Sequence, residues 1–131
     1  MAIAAYLFVN PANKFGYGQK NFVIFNRLPV SFFDLCVAEN NAPQPIEDIN
    51  KKNSLEDFFV GLNQKAIDEP LLLIVGTGFL SEAFRLNDEK TMSLEAKNVS
   101  VRQMPSRQAM DLYNTSKKEN KKVALILCVK H

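Results

Sequence analysis

The sequence holds a single histidine, and it is the last residue, His131. Chain ends commonly fray. A lone histidine in that place leaves no ready base for a serine or cysteine nucleophile. No serine sits in a Gly-x-Ser-x-Gly elbow either, so triad chemistry is close to excluded. Cysteine is equally scarce: Cys36 and Cys128 are the only two. No CxxC or Cys/His spacing marks a metal site. Both lie inside apolar runs, where a thiol behaves as a small hydrophobe, so buried free thiols and a reducing compartment are expected.

Long apolar runs are missing too. None approaches the roughly 20 residues that a membrane-spanning helix needs, which leaves peripheral association as the most that a membrane could offer. The opening segment Met1–Val9 is apolar but short. It lacks the basic n-region and cleavage site of a secretory signal and the arginines of a transit peptide. Charge is not one-sided. With 16 basic and 14 acidic side chains the net charge is +2, and no basic stripe of the kind that tracks a nucleic acid is present. Lys51-Lys52, Lys117-Lys118 and Lys121-Lys122 stand beside acids or amides and read as solvated surface. The acids Glu47-Asp48, Glu56-Asp57 and Asp88-Glu89 are sequence neighbours, which face different directions on a helix. No paired-carboxylate site is legible from them.

What is present is a core. Of 131 residues, 47% are apolar and 23% charged, enough for one domain that buries roughly two thirds of its unfolded surface without staples. Residues 1–14 read as an extension and 15–131 as a single domain. Phe15-Gly16-Tyr17-Gly18 reads as a turn-rich entry. Phe22–Phe25 and Val30–Ala38 read as two strands of a hairpin across an Asn26-Arg27 turn. Glu39–Asn53 reads as a loop that tucks Ile46 and Ile49 into the core. Ser54 then suits an N-cap, with Asp57 in a box-like arrangement. Leu55, Phe58, Phe59 and Leu62 recur at helical spacing up to about Ala66.

After Pro70, Leu71–Val75 is an unbroken apolar run of strand length, as expected of a strand buried on both faces. Gly76-Thr77-Gly78 closes it. Glu89–Lys97 suits a short helix with Asn98 as its left-handed cap. Val99–Met104 alternates like a strand, Ser106 caps a helix to about Asn120, and Val123–Val129 is a last apolar strand. Strand, helix, strand, helix, strand predicts an α/β domain around a mixed, mainly parallel sheet, with the N-terminal antiparallel hairpin added to it.

The Gly76-Thr77-Gly78 turn after a buried strand is where phosphate-cradling loops occur. The dinucleotide fingerprint is incomplete here. Ser81 fills its third small position, but no acid ends the next strand at Gln103-Met104. A tight turn with no room for a Cβ is the simpler reading, and no cofactor is expected. Ser106 and Arg107 open a helix whose N-terminus could hold an anion. Ser106, Ala109, Met110 and Tyr113 share one helical face. Asn114 is a poor helix former, and a polar contact to the glycine turn would justify it. Gly76, Thr77, Gly78, Ser106, Arg107, Tyr113 and Asn114 therefore form the candidate functional surface.

Several of these residues also carry a resemblance. Leu71–Gly78 gives a strand with a GTG turn, and Val99–Met104 gives the strand before a capped helix. From Ser106 to Leu127, Ala109, Tyr113-Asn114, Glu119, Lys121-Lys122 and Val123-Ala124 follow one pattern, and Gly16-Tyr17-Gly18 opens the domain. In these positions the chain resembles the Mth-type family of domains of unknown function, from about residue 15 to 129 and least between 38 and 70. It departs from the family at Pro105 (usually Asp), Met110-Asp111-Leu112 (usually Cys-Arg-Thr) and Asn120 (usually Gly). The resemblance implies a three-layer α/β domain without established catalytic residues. Eukaryotic members include a mitochondrial respiratory complex I assembly factor and an adipogenesis-associated protein. It therefore implies a non-catalytic, mitochondrial, protein-binding factor whose partners are respiratory-complex subunits or assembly factors. A cytoplasmic or nuclear regulator is one alternative. A binder of a small ligand or anion, or an enzyme, with its site at the glycine turn and the Ser106 helix is the other.

Overall fold

The computed structural model describes residues 15–25, 28–38, 43–51, 54–65, 70–119 and 121–131. The expected N-terminal extension, the Asn26-Arg27 turn and the helix end at Ala66 lie outside them. The strands are β1 (Phe15–Gln19), β2 (Phe22–Phe25), β3 (Leu28–Ser31), β4 (Asp34–Val37), β5 (Pro43–Ile46), β6 (Leu71–Gly76), β7 (Val99–Met104) and β8 (Val123–Leu127). The helices are α1 (Glu56–Lys65), α2 (Asp88–Ala96) and α3 (Ser106–Lys118).

A five-stranded sheet runs β5-β4-β8-β6-β7. β6 is parallel to both β7 and β8, while β4 is antiparallel to β8 and β5. Successive strand residues point to opposite faces, and that alternation sorts the core into two layers. Cys36, Leu73, Val75, Ala124 and Ile126 meet Phe58, Phe59 and Leu62 of α1 and Leu94 of α2 on one face. On the other, Leu35, Val37, Ile74, Leu125 and Leu127 meet Ala109, Met110 and Tyr113 of α3. Phe15, Val23 and Phe25, from a three-stranded sheet β1-β2-β3, complete that second layer. The expected three-layer α/β architecture is therefore present, with β2 and β3 as its antiparallel hairpin.

Local readings change in four places. The aromatic-glycine entry is strand β1, not a turn, because Phe15 packs its ring 4.8 Å from Phe25 and 5.5 Å from Tyr113. Val30–Ala38 is not one strand. Phe32 takes a left-handed φ of 61°, the chain turns there, and β3 and β4 end in different sheets. The antiparallel part of the main sheet consequently comes from β4 and β5 rather than from the hairpin. The loop at 39–53 contains β5, whose Pro43 and Pro45 are tolerated because it is an edge strand. Ile46 and Ile49 are buried there as expected. Ser54 does not cap α1: its hydroxyl donates to the Ile49 carbonyl at 3.1 Å. By contrast, Asn98 does close α2 with a left-handed φ of 70°. Cys36 and Cys128 are free and buried.

Candidate functional site at the switch point of the sheet

From β6 the chain crosses through α2 to β7 on one side, then through α3 to β8 on the other. α2 and α3 lie on opposite faces. Connections that leave neighbouring strands in opposite directions open a crevice at their carboxyl ends, the usual ligand position in open α/β sheets. Gly76, Thr77 and Gly78 stand at that point. Gly76 is held to hydrogen by contact: a Cβ there would lie 2.6 Å from Leu127 Cδ1 and 2.9 Å from Ser106 Oγ. Gly78 has φ 148°, and a Cβ would run into the carbonyl of Ser81.

Most polar groups of the turn are already spent. Thr77 donates its N–H and its hydroxyl to the Met104 carbonyl at 2.9 and 3.2 Å. Its own carbonyl accepts from Ala83 and Phe84. The N–H of Phe79 goes to the main-chain oxygen of His131, and that of Ser106 to Gly78. A phosphate-cradling loop needs such amides free. Ser106 is fully buried and its hydroxyl donates to the Cys128 carbonyl at 2.7 Å. It is the first residue of α3, whose N-cap position is Pro105 with no side-chain bond. The expected capping role falls away because a strand-end carbonyl lies closer to hand.

Part of the crevice is covered by the chain itself. Cys128 donates its N–H to the Gly76 carbonyl, and the segment from Val129 to His131 continues across the strand ends. Buried Asp34 holds that segment: Oδ1 accepts from the N–H of Val129 at 2.8 Å and of Lys130 at 3.1 Å, and Oδ2 from that of Ile49 at 3.0 Å. The C-terminal residues are thus anchored rather than frayed at their backbone. The sequence offers one signal for Asp34, a lone acid inside an apolar run, since a carboxylate buried in a strand must find donors.

The candidate residues divide into two groups. Gly76, Thr77, Gly78 and Ser106 meet in one place, with exposed Arg107 beside them. Tyr113 and Asn114 do not join them. Tyr113 packs between Phe15 and Phe25, and Asn114 bonds the backbone of Phe15 instead of the glycine turn. Burial pushes the Tyr113 phenol and the Cys36 thiol up from their ordinary values. Cys128 is pushed up to about 12, by burial first and the nearby Asp34 carboxylate second. None of the three is an ionised nucleophile near neutral pH. Among the described residues no group of three His, Cys, Asp or Glu is placed to hold a metal, and no helix is long and apolar enough to cross a membrane.

Beside the anchored segment two large apolar side chains are exposed. Leu80 is 76% exposed, on a loop that borders a cleft of about 290 Å³ with Arg85, Gln103 and Pro105. Gln103 holds this loop through the backbone of Leu86. Phe32 is 67% exposed, and its N–H bonds Asn21, whose own N–H bonds Val129 of the anchored segment. Phe32 and Leu80 therefore flank the same stretch of chain.

No protein-family model matches the sequence, and no curated protein matches it. Solved structures do match. A Mth938-like domain from Bordetella pertussis is 21% identical with TM-score 0.68, over 93% of this chain and 90% of that one. The protein MT938 is 17% identical with TM-score 0.61, over 90% and 98%. A protein from Bartonella henselae described as an outer membrane protein is 21% identical with TM-score 0.66, over 92% and 96%. At these identities the likeness is one of fold. The chain has an Mth938-like α/β fold.

Proposed function

We propose that the protein is a non-catalytic protein-binding factor, acting in the assembly of a multisubunit complex, and that respiratory complex I in mitochondria is its setting. One observation carries the reading. Residues 128–131 lie across part of the crevice where this sheet topology would hold a ligand, tied to Gly76, Phe79 and Asp34, while Leu80 and Phe32 stand exposed beside them. Exposed apolar side chains mark docking places where they gather on one surface, and the bonds Phe32–Asn21–Val129 and Phe79–His131 bring these two to the same stretch of chain. The resemblance to a family with a complex I assembly factor supplies the setting.

The test is affinity purification of the full-length protein from its own cells, with mass spectrometry, alongside a Leu80→Asp and Phe32→Ser variant. Recovery of respiratory-complex subunits or assembly factors by the native protein, lost in the variant, supports the reading. Recovery of none, with normal complex I after gene loss, overturns it. Imaging of the full-length protein decides between a mitochondrial location and the cytoplasm or nucleus. The cleft beside Thr77 and Gly78 favours a second reading, a small-ligand binder. A thermal-shift screen with nucleotides and anions tests that, because a ligand at a hundred times its Kd adds about 2.7 kcal/mol.

A further inference from the structure

A second hollow lies on the other helical layer, between the start of α1 and the segment from Phe84 to Lys90. Its volume is about 430 Å³, within the range of about 300–1,000 Å³ typical of small-molecule sites. Its floor includes Ile49, Leu55, Phe59 and Leu86, all buried members of the core on that face. Among the described residues, the ionisable groups lining it are three cations, Lys51, Arg85 and Lys90, and one acid, Glu56. From this combination we propose a binding site for a small organic monoanion with an apolar body.

Each part of the combination constrains the ligand. The apolar floor rewards a hydrophobic body through burial. Lys90 has no carboxylate partner among the described residues. Its Nζ sits 4.2 Å from the centre of the Phe59 ring, so the cation is held where the apolar floor meets the rim. Lys51 and Arg85 pair with Glu47 at 3.2 Å and Glu82 at 3.4 Å, acids outside the lining. Both pairs have every side chain more than half exposed. Pairs of that kind are weak and screened, and either cation is available to an acid group better shielded from water. A polyanion such as a nucleotide fits worse. It would bring further negative charge towards Glu56. The first turn of α2 already carries Asp88 and Glu89, and the side chain of Asn87 takes the N–H of Lys90.

The experiment uses 1-naphthoate as the probe, with amide shifts recorded by heteronuclear NMR on the whole chain, and 1-naphthalenemethanol as the neutral analogue. Shifts should concentrate at Lys51, Ser54 and Phe84 to Lys90. The neutral analogue should bind at least about tenfold more weakly, the factor one lost charge contact supplies. Lys90→Glu should weaken naphthoate by a similar factor, with Arg85→Gln as the second variant should the first unfold. Lys97→Glu, the same charge change just past the other end of α2, should leave affinity within about twofold. Shifts elsewhere or none, equal binding of the neutral analogue, or equal loss in Lys97→Glu would each overturn the proposal.

Discussion

The carboxamide of Asn114 grips the backbone of Phe15, 99 residues away in sequence: Nδ2 donates to the Phe15 carbonyl at 2.8 Å, and the Phe15 N–H donates to Oδ1 at 2.8 Å. β1 is an edge strand, and the side chain takes the place that another strand would fill. It also fixes the Phe15 ring against Phe25 and Tyr113. Asn114→Ala leaves both backbone groups without that partner and should cost about 1–3 kcal/mol. Urea denaturation measures the loss. Hydrogen exchange locates it, since the Phe15 amide should speed up more than that of Val23.

Asp34 is a harder place to change. Its two oxygens accept three backbone N–H groups from two segments. Asparagine keeps one acceptor oxygen and turns an NH2 towards a remaining donor, either Ile49 or the Val129 and Lys130 pair. Asp34→Asn should lose about 1.5–3 kcal/mol, the range for hydrogen bonds to charged groups. An unchanged denaturation midpoint would show that the anchored segment does not depend on the carboxylate.

Two glycines should respond in opposite senses. Nothing lies within 4 Å of a Cβ placed on Gly61, inside α1, so Gly61→Ala should stabilise by about 0.5–1 kcal/mol through lower unfolded-state entropy. Gly76→Ala pushes a methyl between Leu127 and Ser106 and should cost about 1–3 kcal/mol. Thermal melts of the two variants, run side by side, check the signs.

The buried thiols make a pH prediction. The folded-state value of Cys128 is pushed up from 9.0 to about 12. Between those values the unfolded thiol has lost its proton while the folded one keeps it. The folded state then binds more protons, so stability falls as pH rises from about 9 towards 12. The raised Cys36 and Tyr113 act in the same direction. Stability measured from pH 8 to 10.5 should decline, and less steeply in Cys128→Ala. In the native state both thiols should resist iodoacetamide at pH 8 and react once urea unfolds the chain.

The second half was largely legible because β6 and β8 are buried on both faces and read as continuous apolar runs, while edge strand β7 reads by alternation. The expected Leu71–Val75 and Val123–Val129 match the strands Leu71–Gly76 and Val123–Leu127 within a residue or two. The faces of the helices were legible for the same reason: Phe58, Phe59 and Leu62 on α1 and Ala109, Met110 and Tyr113 on α3 are buried. Polar residues were read less well. Ser54 and Ser106 were expected to cap helices and Asn114 to reach the glycine turn, but they bond the Ile49 carbonyl, the Cys128 carbonyl and the Phe15 backbone instead.

Sequence alone determined what local pattern can express: the α/β order, the left-handed Asn98 and the buried thiols, while the three layers followed from the family resemblance. Phe32 shows what it could not express. Nothing in the pattern from Val30 to Ala38 marks the point where a left-handed residue sends the chain from one sheet to the other. The anchoring of residues 129–131 across the strand ends belongs to the tertiary structure as well. It depends on Asp34 meeting Val129 and Lys130, donors more than ninety residues away. Apolar burial acts through many residues with a regular spacing, so a single sequence records it. A hydrogen bond is one donor meeting one acceptor, and only the folded chain decides which.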